Sequence, residues 1–223
     1  MNASFDADGI ATALVRDGWW ADTAALDPSL CAALLVDLHA LDATAQLTTA
    51  GIGRGTNRRQ DLSIRGDRTA WLTPTTAPQR AFLDSVDSLR IGLNRSLFLG
   101  LAECEAHFAQ YETGARYQRH TDSLIGTTSR VVSLVAYLNV DWDDADGGEL
   151  VLYQANATAE FARVVPRAGT LVAFMSDTIA HEVLPARRRR ASIAAWLRRK
   201  EGASVPGTFA PCQPAARTRC RWR

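Results

Sequence analysis

The sequence predicts an α+β chain, with a helical first half and a β-rich second half of the sandwich or jelly-roll kind. Three observations carry this. Apolar residues recur at helical spacing as far as Leu97, and from Glu105 onward the period drops to two. Turn residues then divide the second half into eight short strand candidates, a spacing typical of sandwiches and jelly rolls.

The elements follow in order. Ile10, Leu14, Val15 and Trp19 have near-helical spacing and predict a first helix over Ile10–Trp20. Asp27-Pro28 reads as an N-cap followed by proline at the first helical position. The stripe Leu30, Leu34, Leu38, Leu41 then extends a second helix from Pro28 to Leu41. A third begins near Pro78, with Phe82, Val86, Leu89, Leu93 and Leu97 as its buried face. Between the second and third helices, Gly51-Ile-Gly-Arg-Gly55 is not followed by Gly-Lys-Ser/Thr, and no helix opens after it. It reads as a flexible loop and not as a phosphate cradle. Ile64-Arg-Gly-Asp67 reads as a polar turn before Trp71. The strand candidates are Ala106–Tyr111, Arg116–Asp122, Val131–Val140, Glu149–Tyr153, Glu160–Val165, Thr170–Phe174, Ile179–Leu184 and Ala191–Leu197. Glu201 to Arg223 is rich in Pro, Gly, Ala and Arg and reads as a loose tail. The expected organisation is one domain over residues 1–200, helical over 1–100 and jelly roll over about 101–200, with the tail at 201–223.

Composition excludes several function classes. The chain has 223 residues, 47% hydrophobic and 22% charged, with a formal net charge of +1. A charge this small gives no global attraction to nucleic acid or membrane. No apolar run approaches the roughly 18 residues a membrane helix needs. The N-terminus lacks a basic segment followed by an apolar one, so no signal peptide is expected. Cys31, Cys104, Cys212 and Cys220 are scattered and read as free thiols of a reducing compartment. A cytoplasmic location is therefore expected, with neither nucleic acid nor membrane as a partner.

The chemistry concentrates on few residues. There are four histidines. His39 sits on the second helix as a partly exposed residue, and His107 reads as a hydrogen-bonded structural histidine in a strand. His120 differs because Asp122 follows at i+2, which on a strand points to the same face. His181 lies far along the chain, at the end of another strand candidate. Two imidazoles and one carboxylate match the facial triad that leaves three iron(II) positions open. A 2-oxoacid can supply the two extra electrons of an oxygenase reaction by decarboxylating. Its distal carboxylate needs a fixed cation, and Arg190 suits it: a guanidinium fork binds a carboxylate through two hydrogen bonds. If Pro185 to Arg189 form a turn, Arg190 enters the next strand facing inward, with Ser192, Ala194 and Trp196 on the same face. Arg187, Arg188 and Arg189 are left to the turn. Tyr137, on a strand face with Ser133 and Val135, reads equally as a donor to the same carboxylate or as a core tyrosine.

The segments Ile64-Arg-Gly-Asp67 with Trp71, Tyr111…Gly114…Tyr117-Gln-Arg-His120-Thr-Asp122, Tyr137-Leu-Asn139 with Trp142, Gly147-Gly148-Glu-Leu and His181-Glu-Val…Pro185…Arg190…Trp196 appear together in order. In them the chain resembles the prolyl 4-hydroxylases among 2-oxoglutarate oxygenases, especially the HIF-type prolyl hydroxylases and their bacterial relatives. The resemblance implies an α+β fold with a mainly β core, a double-stranded β-helix (jelly roll) with supporting N-terminal helices. It implies iron(II) on His120, Asp122 and His181, and 2-oxoglutarate held by Arg190 and Tyr137, with Tyr111 and Ser192 nearby. It also implies dioxygen as cosubstrate, ascorbate as reductant, and substrate contacts from Trp196 and from Arg65 and Asp67 in a loop, Gly51 to Arg68, that closes over the substrate. The implied partner is a proline-containing protein or peptide, and the implied assembly a monomer. One departure is that Tyr111 stands one residue nearer to His120 than in the animal enzymes. Competing readings are the same chemistry on a free amino acid, a small metabolite or another protein side chain, a non-catalytic jelly-roll binding module, and a cupin-type zinc site.

Overall fold

The computed structural model describes residues 5–52, 59–123, 129–154 and 157–200. The tail, with Cys212 and Cys220, and the centre of the Gly51–Arg68 loop lie outside the described residues. The elements are α1 (Ala7–Asp17), β1 (Trp19–Asp22), α2 (Pro28–Ala43), β2 (Thr48–Thr49), β3 (Asp67–Trp71), α3 (Ala77–Leu97), β4 (Glu103–Tyr111), β5 (Tyr117–His120), β6 (Arg130–Tyr137), β7 (Leu150–Gln154), β8 (Glu160–Val164), β9 (Leu171–Met175), β10 (Ile179–Val183) and β11 (Arg190–Arg198). No described helix is long and apolar enough to cross a membrane.

The helices start where their caps place them. Asp27 accepts from the backbone N–H of Ser29 and Leu30 ahead of Pro28, and Thr76 accepts from that of Gln79 at the start of α3. Phe82, Val86, Leu89 and Leu93 are buried along α3, as their spacing predicts. Removing one such leucine side chain would cost about 2–5 kcal/mol. The first helix is shorter than expected. Gly18 takes a left-handed conformation (φ 79°) and ends α1 at Asp17. Trp19 is therefore a strand residue, paired with Phe174 of β9, and Val15 faces solvent.

A seven-stranded antiparallel sheet, ordered β1-β9-β6-β11-β4-β3-β2, faces a four-stranded one, ordered β5-β10-β7-β8. This is the mainly β jelly-roll architecture that the periodicity and the resemblance predict. All eight strand candidates are present. The Asp67 turn is not a turn: Asp67 opens β3 and pairs with Tyr111 of β4. The larger sheet is covered on both faces, so its strands alternate between two partners. On β11, Ala191, Ile193, Ala195 and Leu197 pack in the core shared with the helices. Arg190, Ser192, Ala194 and Trp196 point the other way, into the cavity between the sheets. β6 does the same, with Val132, Leu134 and Ala136 in the helical core and Tyr137 in the second core between the sheets.

Candidate active site

His120 ends β5, and His181 on β10 is its paired neighbour. β5 stops at His120, so Asp122 is not carried on the strand as the i, i+2 argument expects. A bend brings it in. The Ser133 hydroxyl on β6 holds it there, donating to Asp122 Oδ2 at 2.7 Å. Ser176 Oγ lies 2.8 Å from Ser133 Oγ and, with the Ser133 proton committed to the carboxylate, is the donor of that second bond. His120 Nε2 is 3.9 Å from Asp122 Oδ1, and His181 Nε2 is 3.7 Å from Asp122 Oδ2. One ligand atom from each residue fits within 4.8 Å of the others. His120 Nδ1 sits 2.8 Å from the Gln118 carbonyl, which fixes the proton on Nδ1 and leaves Nε2 free to ligate.

Electrostatics favour a cation here. Burial works to raise the Asp122 carboxyl, but the two imidazoles and the Ser133 hydrogen bond outweigh it and hold the carboxyl below its usual range. Burial, with His181 alongside, pushes the His120 imidazole down, so it is neutral at pH 7. Two imidazoles and a carboxylate grouped on one side of a cavity suit iron(II) with open positions opposite.

Arg190 lies at the other end of the cavity. It is 1% exposed. Its Nε donates to the Gly148 carbonyl at 2.9 Å and its Nη1 to Ser192 Oγ at 3.3 Å. Among the described residues its buried Nη2 meets no hydrogen-bond partner, and neither does the Tyr137 hydroxyl. A buried guanidinium facing no carboxylate is costly, so the pair of orphaned donors fits an absent anion such as the distal carboxylate of 2-oxoglutarate. The guanidinium carbon is 5.1 Å from the Tyr111 ring and 5.0 Å from the Tyr137 ring. Burial pushes the Tyr137 phenol up to about 12, against the pull of Arg190, so it keeps its proton. Tyr111, also buried, is pushed up likewise. Tyr111 and Ser192 line the cavity, and Tyr137 lies in the core between the sheets with its ring beside the guanidinium.

The cavity is about 450 Å³. Its rim carries Arg65 and Asp67, joined through two hydrogen bonds of 2.7 and 2.9 Å, with Asp67 fully buried. Burial disfavours the Arg65 cation, but Asp67 outweighs it and raises the Arg65 pKa. Arg65 covers the Tyr117 ring at 4.7 Å, and Tyr117 stacks on His120 at 3.6 Å. Trp196 and half-exposed Trp71 also line the cavity, each packed against His107. Arg188 and Arg189 pair with Asp146, Asp42 and Glu112 in the ordinary manner of a turn. Sequence reasoning gives no part to Tyr117, Ser133 or Ser176, and it treats His107 as structural although His107 lines the cavity. The shared parity of residues 107, 109 and 111 on one strand was the available signal for His107.

Comparisons with known proteins agree with this geometry. Residues 106–198 match the family model of the 2OG-Fe(II) oxygenase superfamily. A solved Pseudomonas putida prolyl-4-hydroxylase is 38% identical, with a TM-score of 0.78 over 86% of this chain and 99% of that one. A prolyl hydroxylase from Trichoplax adhaerens, solved with a hypoxia inducible factor oxygen degradation domain peptide, is 26% identical, with a TM-score of 0.77 over 86% of this chain and 88% of that one. Human (Homo sapiens) Egl nine homolog 1 is 31% identical over 169 residues, which is 72% of this chain and 39% of that protein. The chain thus spans less than half the length of the curated relatives it matches.

Proposed function

The chain belongs to the 2OG-Fe(II) oxygenase superfamily, and from that premise we propose that it hydroxylates a prolyl residue in a protein or peptide, giving 4-hydroxyproline. The observation that carries the oxygenase reading is the unpartnered Arg190 Nη2 in the same cavity as the His120–Asp122–His181 cluster. A metal site alone fits many activities, but a buried cation awaiting an anion fits a dicarboxylate cosubstrate. The prolyl target is supported by the likeness to the Pseudomonas prolyl-4-hydroxylase and the Trichoplax enzyme.

When bound, iron(II) with 2-oxoglutarate and dioxygen supplies the two-electron oxidation that places a hydroxyl on an unactivated carbon and releases succinate and CO2. The protein does the rest. His120, Asp122 and His181 hold the metal, and Ser133 fixes the Asp122 rotamer. Arg190 takes the distal carboxylate, Ser192 steadies the guanidinium, and the Tyr137 hydroxyl donates to the same carboxylate from beside it, with Tyr111 closing that end. Trp196 and Trp71 give the pyrrolidine ring an apolar wall and keep water from it. The Arg65–Asp67 pair fixes the rim against which the substrate closes. In this reading residues 1–200 act as one catalytic domain, a cytoplasmic monomer that uses ascorbate to restore iron(II).

Purified protein with iron(II), ascorbate and 2-oxoglutarate is expected to release succinate, faster with a prolyl peptide, and the peptide to gain the mass of one oxygen. No succinate under any condition, together with no 2-oxoglutarate binding, overturns the oxygenase reading. Succinate coupled only to free amino acids or metabolites overturns the prolyl one.

A further inference from the structure

His107 is buried on β4, opposite Trp71 of β3 on one side and Ala194 of β11 on the other. It lines the active-site cavity on the Trp196 side. Tyr111, beside Arg190, lies four residues along the same strand, or roughly 13 Å away at 3.3 Å per residue. His107 therefore sits well away from the cosubstrate end.

Its ring is fixed on three sides. Trp71 meets it edge-on, with ring centroids 5.3 Å apart, and Trp196 packs against it at 5.2 Å. Nδ1 is 3.0 Å from the Phe108 carbonyl oxygen. A carbonyl only accepts, so Nδ1 carries the proton and Nε2 presents a lone pair. Among the described residues no group donates to Nε2. Burial, helped by the nearby Arg65 and Arg130 cations and opposed by Asp67, lowers the imidazole to about 4, so the ring is neutral at pH 7. The cavity wall thus holds a rigid, uncharged acceptor that accepts from none of the described residues.

We propose that His107 is a substrate-binding residue whose Nε2 accepts a hydrogen bond from a backbone N–H flanking the target proline. This rests on the prolyl reading of the site. A prolyl residue inside a peptide has no N–H of its own, so an acceptor beside the Trp71–Trp196 wall reads its neighbour. The assignment also selects substrate class. A neighbouring residue in a peptide supplies that amide, and free proline does not. The bland role of a core histidine satisfied by Phe108 leaves Nε2 and its place on the cavity wall without a purpose.

The test is a cycle of enzyme and peptide variants. Wild-type protein is assayed on a prolyl peptide and on analogues in which the backbone N–H of the residue before the proline, or that of the residue after it, is replaced in turn by an ester oxygen, which removes that one N–H while leaving the X–Pro bond intact. One ester is expected to raise KM roughly tenfold, the scale of one hydrogen bond. His107→Leu is expected to raise KM for the parent peptide by a similar factor and to show no further loss with that ester. His107→Gln, whose amide oxygen can accept at the same place, is expected to stay within about threefold of wild type. Iron content and 2-oxoglutarate affinity are expected to be unchanged in both variants. If the wild type turns over the peptide but no ester raises KM, or if His107→Leu weakens 2-oxoglutarate as much as peptide, the assignment is wrong and the prolyl reading stands. If the wild type binds 2-oxoglutarate and turns over no prolyl peptide, the prolyl reading fails and takes this assignment with it.

Discussion

Two of the three nitrogens of the Arg190 guanidinium are engaged by the protein, and the third has no partner among the described residues. Arg190→Lys keeps the charge and loses the fork. It is expected to weaken 2-oxoglutarate by roughly 10- to 100-fold, about the loss of one charge-assisted hydrogen bond, with metal binding intact by calorimetry. His107 makes a second prediction at this scale. Its folded pKa, about 4, lies below the ordinary 6.5. The unfolded chain therefore takes up a proton that the native state does not as pH falls from 6.5 toward 4, and stability drops across that window. His107→Gln is expected to lose less stability between pH 7 and pH 4.5 than wild type, a difference on the order of 2–3 kcal/mol by urea unfolding. Arg190 was legible in sequence because strand parity and a turn fix which arginine of the run faces inward. Ser133 was not: a serine on an apolar strand has no meaning until the fold sets Asp122 against it.

Gly148 shows how one turn serves the site. Its φ is +72°, and a Cβ there would lie 2.9 Å from Ala186 Cβ and 3.2 Å from Arg190 Cδ. Its carbonyl accepts from Arg190 Nε. Gly148→Ala is expected to destabilise the protein by about 1–3 kcal/mol and to weaken 2-oxoglutarate while sparing metal binding. Thermal unfolding and cosubstrate titration read the two effects separately. The same distinction between local and long-range causes explains which elements the sequence revealed. α2 and α3 carry caps and stripes of their own, and the eight later strands carry alternation. β1 was hidden because Trp19 continues the helical spacing that Gly18 breaks. β3 was hidden because its inward residue is a carboxylate, tolerated in the interior through Arg65.

Across the whole molecule the candidate metal site ties the two sheets together. His120 and His181 come from the smaller sheet, while the Asp122 carboxylate is held by Ser133 of the larger one. A metal bound there stabilises only the assembled sandwich. At 100 times its Kd it contributes about 2.7 kcal/mol, which raises Tm by roughly 5–10 °C for a chain of this size. Manganese(II) without oxygen is expected to produce that rise in wild type and not in Asp122→Ala. β11 is the last described strand along the chain, yet it lies between β4 and β6 in the larger sheet. A ribosome that has released residues only as far as Ala186 has made β4 and β6 with an open slot between them. Two unpaired edges then face each other, with apolar side chains above and below, and such edges recruit other chains. The nascent protein is therefore expected to be most prone to aggregate just before β11 emerges. When it does, one insertion closes both edges and brings Arg190 into the cavity, so translation stalled in the 180s is expected to yield insoluble product that binds no 2-oxoglutarate.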